Sequence, residues 1–126
     1  NEYAYYNASA LRGNLPETYE LDYWNVSALQ TLRAAADQVP ADRTFSVTGA
    51  DYGSQNGLES AYKLLPDAQR ARLRVLPLGS IGATYTLSNT TYAVINGWQP
   101  KAGQQIVSQT RSFGQPLTTL YARAQP

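Results

Sequence analysis

Apolar positions along this chain change their spacing several times, and each change marks an element. Leu29, Leu32, Ala36 and Val39 recur at helical spacing up to Pro40. Ser27 with Gln30 three residues on forms a capping-box pattern, so a helix is predicted to begin near Ser27. In "TFSVTG" (44–49) Phe45 and Val47 alternate with polar neighbours, which predicts a strand closed by Gly49. Leu58, Ala61, Tyr62 and Leu65 fall at i, i+3, i+4 and i+7 and predict a second helix ending at Pro66. "RLRVLPL" (72–78) reads as a short strand that Pro77 confines to a sheet edge or an early end. "TYAVIN" (91–96), β-branched and aromatic with Gly97 after it, predicts another strand. Finally, "QQIVSQTR" and "PLTTLYAR" alternate on either side of Ser112-Phe113-Gly114-Gln115 and predict a β-hairpin.

A strand, a loop and a helix followed by a strand imply a βαβ unit. The whole order is α, β, α, β, β and two antiparallel strands. It predicts an α/β fold, a layered domain with a mixed sheet of Rossmann-like order ending in an antiparallel hairpin. The expected organisation is one domain over 1–126. An irregular aromatic lead-in occupies 1–24, with a turn at Gly13-Asn14-Leu15-Pro16, and the α/β core occupies 25–126.

Composition narrows the chemistry. At 126 residues, 43% hydrophobic and 15% charged, the chain is globular and long enough to close a core. A net charge of +1 creates no field directed at nucleic acid or an anionic membrane surface, so no nucleic-acid partner is expected. There is no Cys and no His. Thiolate and imidazole metal sites, Cys nucleophiles and Ser-His triads are therefore excluded within this chain, and neither a metal nor a cofactor is expected. No apolar run approaches the roughly 18 residues of a membrane span. The chain opens on Asn1 and holds no Met, which predicts a piece of a longer protein with any membrane segment outside it.

Several residues are candidates for function. Glu20 and Asp22 lie two apart, and in an extended segment such a carboxylate pair shares a face and can divide acid and base roles. The competing reading, in which Asp22 caps or salt-bridges near a helix start, outweighs catalysis, since acids near helix N-termini are stabilising. "GADYGSQNG" (49–57) sits between a strand and a helix, where α/β folds bind phosphates, but it lacks Lys and any dinucleotide or P-loop pattern. Gly49, Asp51, Tyr52, Gly53 and Ser54 are the candidate loop for a small polar ligand. Arg70, Arg72 and Arg74 alternate, so on a strand they would line one face, either to meet an anion or to guard an edge. Ten tyrosines and two tryptophans suit sugar stacking, although Tyr62, Tyr92 and Tyr121 fall at core-facing or half-buried positions, leaving the lead-in rings as the open candidates.

"YAYYN" (3–7) followed by "YELDYWNVSALQTLRAAA" (19–36) resembles a segment found after the last membrane helix of bacterial polytopic glycosyltransferases of the GT-C class. These are relatives of protein mannosyltransferases and aminoarabinose transferases, which take sugars from polyprenyl-phosphate donors. Tyr5, Tyr6 and Asn7 match the family pattern. Asp22, preceded by Glu20, then matches with Tyr23 and Trp24, and Ser27 stands where the helix begins. Asn25 replaces the family's usual Gly, and both residues tolerate a positive φ.

The resemblance implies a C-terminal soluble domain on the extracytoplasmic (periplasmic or outer) face of a bacterial membrane, as part of a multi-pass protein. The catalytic carboxylate then lies in a loop of the membrane portion, so that no residue here is catalytic and the domain alone is inactive. Its implied partners are the membrane-embedded catalytic portion of the same chain, the polyprenyl-phosphate sugar, and a glycan or protein acceptor. Tyr23 and Trp24 would pin the segment leaving the membrane onto the first helix, and Asp22 would bond amides near its start. Two other classes stay open: a stand-alone extracytoplasmic glycan-binding or protein-interaction module, and a hydrolase using Glu20 and Asp22.

Overall fold

The computed structural model describes residues 16–112 and 114–123. A long helix α1 (Pro16–Gln38) leads into strand β1 (Phe45–Gly49), helix α2 (Tyr52–Leu64) and the one-turn helix α3 (Asp67–Arg70). Strands β2 (Leu73–Val75) and β3 (Tyr85–Asn89), helix α4 (Thr90–Asn96) and the hairpin β4 (Gln105–Ser112) and β5 (Gln115–Ala122) complete it. The result is the expected α/β layered fold on a five-stranded mixed sheet, in the order β2-β1-β3-β5-β4. β1 pairs in parallel with both β2 and β3, and β5 runs antiparallel to both β3 and β4.

Alternation along the strands gives the sheet two unlike faces. Phe45, Val47, Leu87 and Leu120 point to the helix side and pack with Ala28, Leu32 and Ala35 of α1 and Leu58 and Ala61 of α2, forming a closed core. Burying each of the large members is worth about 1.5–3 kcal/mol. Where α1 crosses the hairpin, the contact is made of hydroxyls instead. Ser27 Oγ lies 2.6 Å from Thr118 Oγ1, and Thr31 Oγ1 lies 2.7 Å from Thr110 Oγ1. Ser108 Oγ donates to Thr31 O at 3.0 Å.

Helix α1 begins at Pro16, not near Ser27, so residues 16–24 are helical rather than an irregular lead-in. Proline is favoured in the first turn because its missing N–H needs no partner there. Of the predicted Gly13-Asn14-Leu15-Pro16 turn, only Pro16 lies among the described residues, and it is helical; Ser27 is an interior, buried position rather than a cap.

The segment 91–96 is helix α4, not a strand. Asn89 accepts from Tyr92 N–H at 3.1 Å through its side chain, and Gly97 ends the helix in the left-handed region at φ 68°. Caps at both ends override the strand preference of Thr, Tyr, Val and Ile. The strand preceding it is β3.

The three arginines do not share a face. Arg70 ends α3 and donates to Lys63 O and Leu65 O, holding the end of α2. Arg72 donates to Val39 O at 2.6 Å and Pro40 O at 3.0 Å, so its guanidinium caps the C-terminus of α1 while lying 5.9 Å over the Phe45 ring. Arg74 is exposed on β2, which is short and lies at the sheet edge as expected.

Candidate functional site

Parallel strands in one sheet need a crossover, and that crossover is usually a helix lying on the sheet. Here α2 supplies it between β1 and β2, but the return from β2 to β3 has none: residues 76–84 are irregular. Among the described residues, the face opposite α1 and α2 is therefore covered by this loop, by α4 and by the segment 97–104. Beneath them the outward-facing positions of the strands form a floor of hydroxyls: Thr48, Thr86, Ser88 and Thr119, with Gln109 and Tyr121 beside them. Two clefts open onto this floor, of about 340 Å³ and about 180 Å³, and Trp98 lines both.

Local structure fixes that tryptophan. Gly97 turns the chain at the end of α4, its N–H pointing at Val94 O at 3.4 Å, and Trp98 N–H donates to Ala93 O at 2.9 Å. This pair of bonds is the Schellman arrangement, and it swings the indole over the sheet. There it meets Tyr121 with ring centroids 5.6 Å apart and planes at 54°. In the larger cleft Gln109 Nε2 donates to Thr119 Oγ1 at 2.8 Å, and Ser88 presents a hydroxyl from a residue only 3% exposed.

The smaller cleft lies at the carboxyl end of β1, beside Gly49 and Ala50. The 76–83 loop forms its far wall and is pinned to the sheet by Thr48 Oγ1, which donates to Pro77 O at 2.7 Å. Lys101 and Arg123 line it too. Lys101 starts a tight turn in which Gln104 Oε1 accepts from its backbone N–H at 2.8 Å, and Arg123 N–H extends the β3–β5 ladder to Thr84 O at 3.0 Å.

The residues singled out in the sequence are scattered relative to these clefts. Tyr5, Tyr6 and Asn7 lie outside the described residues. Glu20, Asp22, Tyr23 and Trp24 fall on the first turns of α1. Positions two apart on a helix are not neighbours, so the shared face that an extended segment would give Glu20 and Asp22 does not arise. Ser27 faces Thr118 in the α1 interface.

The 49–54 loop is largely internally bonded. Gly49 N–H donates to Gln55 Oε1 at 2.7 Å, Ser54 N–H donates to Asp51 Oδ1 at 2.8 Å, and Ser54 Oγ accepts from Asn89 N–H at 2.9 Å. Asp51 thus places its own carboxylate where an anion would sit at the start of α2, with Oδ2 buried and without a hydrogen-bond partner. Gly53 is closed over by the Tyr92 ring, which a Cβ there would approach to 2.4 Å. Tyr52 is exposed, and Gly49 alone of the five lines a cleft.

Sequence reasoning missed Trp98, Lys101, Arg123 and the cleft-facing role of Tyr121. The available signal was Gly97-Trp98 followed by Pro100: a helix stop with a large ring carried out of the element. Comparison of the chain with protein families, characterised proteins and solved structures returns no match. The fold and the clefts are therefore the ground on which function is argued.

Proposed function

We propose that this chain is the non-catalytic soluble domain of a membrane-embedded glycosyltransferase that uses a polyprenyl-phosphate sugar donor. Its open sheet face shapes or covers the acceptor side on the extracytoplasmic face of the membrane. The observation that carries the reading is the Trp98–Tyr121 ring pair standing over a floor of Ser88, Thr119 and Gln109. Aromatic faces stack on the C–H surface of sugar rings while hydroxyls and amides bond the sugar hydroxyls, and this cleft provides both. The described lining of hydroxyls, amides and rings suits holding a saccharide. The "YAYYN" and "YELDYW" stretches, with their resemblance to the membrane-proximal segment of GT-C enzymes, supply the link to the membrane.

A second reading, a stand-alone glycan-binding module, draws on the same ring pair and hydroxyl floor, which need no membrane portion to hold a saccharide. The reading frame around the chain separates the two. Several apolar runs of about 20 residues upstream, with an acidic loop after the first, are expected for the transferase. A frame holding only this domain behind a signal peptide would overturn it in favour of the module.

A further inference from the structure

The smaller cleft differs from its neighbour in one respect that matters chemically. Both are floored by sheet hydroxyls and walled by Trp98, but only the smaller is flanked by two cations, Lys101 and Arg123. Among the described residues neither side chain makes an ion pair or a side-chain hydrogen bond; the one ion pair there joins Arg70 to Asp67, both in the surface helix α3. Surface cations near a carboxylate ordinarily find it, so two such cations bordering a single cavity form a local positive field with no counter-charge among the described residues that line it.

The backbones that carry them are fixed, Lys101 by its turn and Arg123 by the ladder to Thr84. Thr86, whose hydroxyl has no recorded partner, faces the same space. The volume of about 180 Å³ equals that of about six water molecules in the liquid, the scale of one sugar ring with a compact substituent. The cleft also sits at the carboxyl end of β1, where the strand order reverses as the chain passes from β2 across to β3, the place where open α/β sheets take ligands.

We propose that the smaller cleft is a subsite for an anionic sugar, a single ring bearing one carboxylate, with Lys101 and Arg123 receiving the charge and Trp98 covering the ring. Across the indole the neutral cleft takes the adjoining uncharged residue, so the ligand is an acidic glycan in which charged and neutral units are joined. This rests on the saccharide-facing reading of the sheet but not on the membrane attachment.

The test is a titration of the folded chain, followed by amide chemical shifts, with four probes: glucuronate, glucose, glucose 6-phosphate and inorganic phosphate. Glucuronate is expected to shift Thr86, Lys101 and Arg123 resonances and to bind at least tenfold more tightly than glucose, with the advantage shrinking as salt rises. Lys101→Ala and Arg123→Ala should each weaken glucuronate about tenfold, as removing one charge-assisted contact does, and leave glucose unchanged. Lys101→Arg should retain binding, which separates loss of charge from loss of fold.

Equal binding of glucuronate and glucose would overturn the anionic subsite while leaving the neutral saccharide reading of the larger cleft standing. Tighter binding of glucose 6-phosphate than glucuronate would overturn the carboxylate assignment in favour of a phosphate ester. Binding of inorganic phosphate as tight as either would overturn the role of the ring. Glucuronate binding by a chain whose reading frame holds no membrane spans would uphold the subsite while the transferase reading falls.

Discussion

Gly49 ends β1 with its backbone pressed against the start of α2. A Cβ there would lie 2.5 Å from Gln55 N, 2.6 Å from Gln55 Cα and 2.8 Å from Gln55 Oε1. Two of those atoms belong to the helix backbone and cannot swing aside as the tip of a side chain would. Gly49→Ala must therefore separate strand and helix by about 0.5 Å to reach even the tightest real Cβ contact of 3.0 Å. That separation stretches the 2.7 Å bond from Gly49 N–H to Gln55 Oε1, and with it the 2.9 Å bond from Gln55 Nε2 to Leu76 O that ties α2 to the end of β2.

Overpacking costs about 1–3 kcal/mol and a lost internal hydrogen bond about 1 kcal/mol more. The reduced freedom of the unfolded chain returns about 0.4–1 kcal/mol. The balance is about 2 kcal/mol, or a fall in Tm of roughly 8 °C for a domain of this size. Thermal melts followed by circular dichroism measure it. The control is Gly82→Ala, where a Cβ meets nothing within 4 Å and φ is not positive, so Tm should hold or rise slightly. A Gly49→Ala protein melting within about 2 °C of the parent would refute the reasoning, because no other term is large enough to absorb the clash.

Ser27 and Thr118 are both fully buried and share a 2.6 Å hydrogen bond, so Ser27→Ala and Thr118→Val should each cost about 1–2 kcal/mol in denaturant titrations. The double variant should show a coupling of about 1 kcal/mol, and a coupling under about 0.3 kcal/mol would remove the bond from the account. Asp51→Ala should destabilise by about 1 kcal/mol through loss of the α2 cap. Asp51→Asn should cost less than Asp51→Ala, since it keeps the accepting oxygen, although its amide sets two N–H donors where the unpartnered Oδ2 lies. Trp98→Ala, at a half-buried ring outside the core, should leave the melting curve within about 1 kcal/mol of the parent yet abolish saccharide-induced shifts of Ser88 and Thr119. Retained shifts would detach the indole from the proposed site.

The sequence disclosed the fold where a single period ran without competition. The strand at Phe45 and Val47, the α2 face of Leu58, Ala61 and Leu65, the short edge β2 and the closing hairpin were all legible, because each buries one face and needs its apolar residues at one spacing. It misled where local bonding outweighed composition. Thr91 to Ile95 look like strand, but the Asn89 cap and the left-handed Gly97 decide for helix. The start of α1 was hidden by Pro16, a residue that signals a turn in one setting and a helix entry in another. The clefts were harder to foresee, since they exist only because the β2–β3 crossover lacks a helix and because strands distant in sequence place Ser88, Thr119 and Gln109 side by side. No spacing along the chain encodes that neighbourhood.

The hydroxyl seam between α1 and the hairpin has a kinetic meaning. Ser27 and Thr118 are 91 positions apart, Thr31 and Thr110 79, and Thr31 and Ser108 77, so the first described helix rests on the last strands. The unit from β1 to β2 is local by comparison and closes within residues 45–75. Loop-closure entropy grows only slowly with separation, so distant pairing of this kind takes little from final stability and acts mainly on the rate at which the native state is reached. During synthesis α1 emerges long before its partners. Ser27 and Thr31 meet their hairpin partners only once β4 and β5 are made, so this contact closes late.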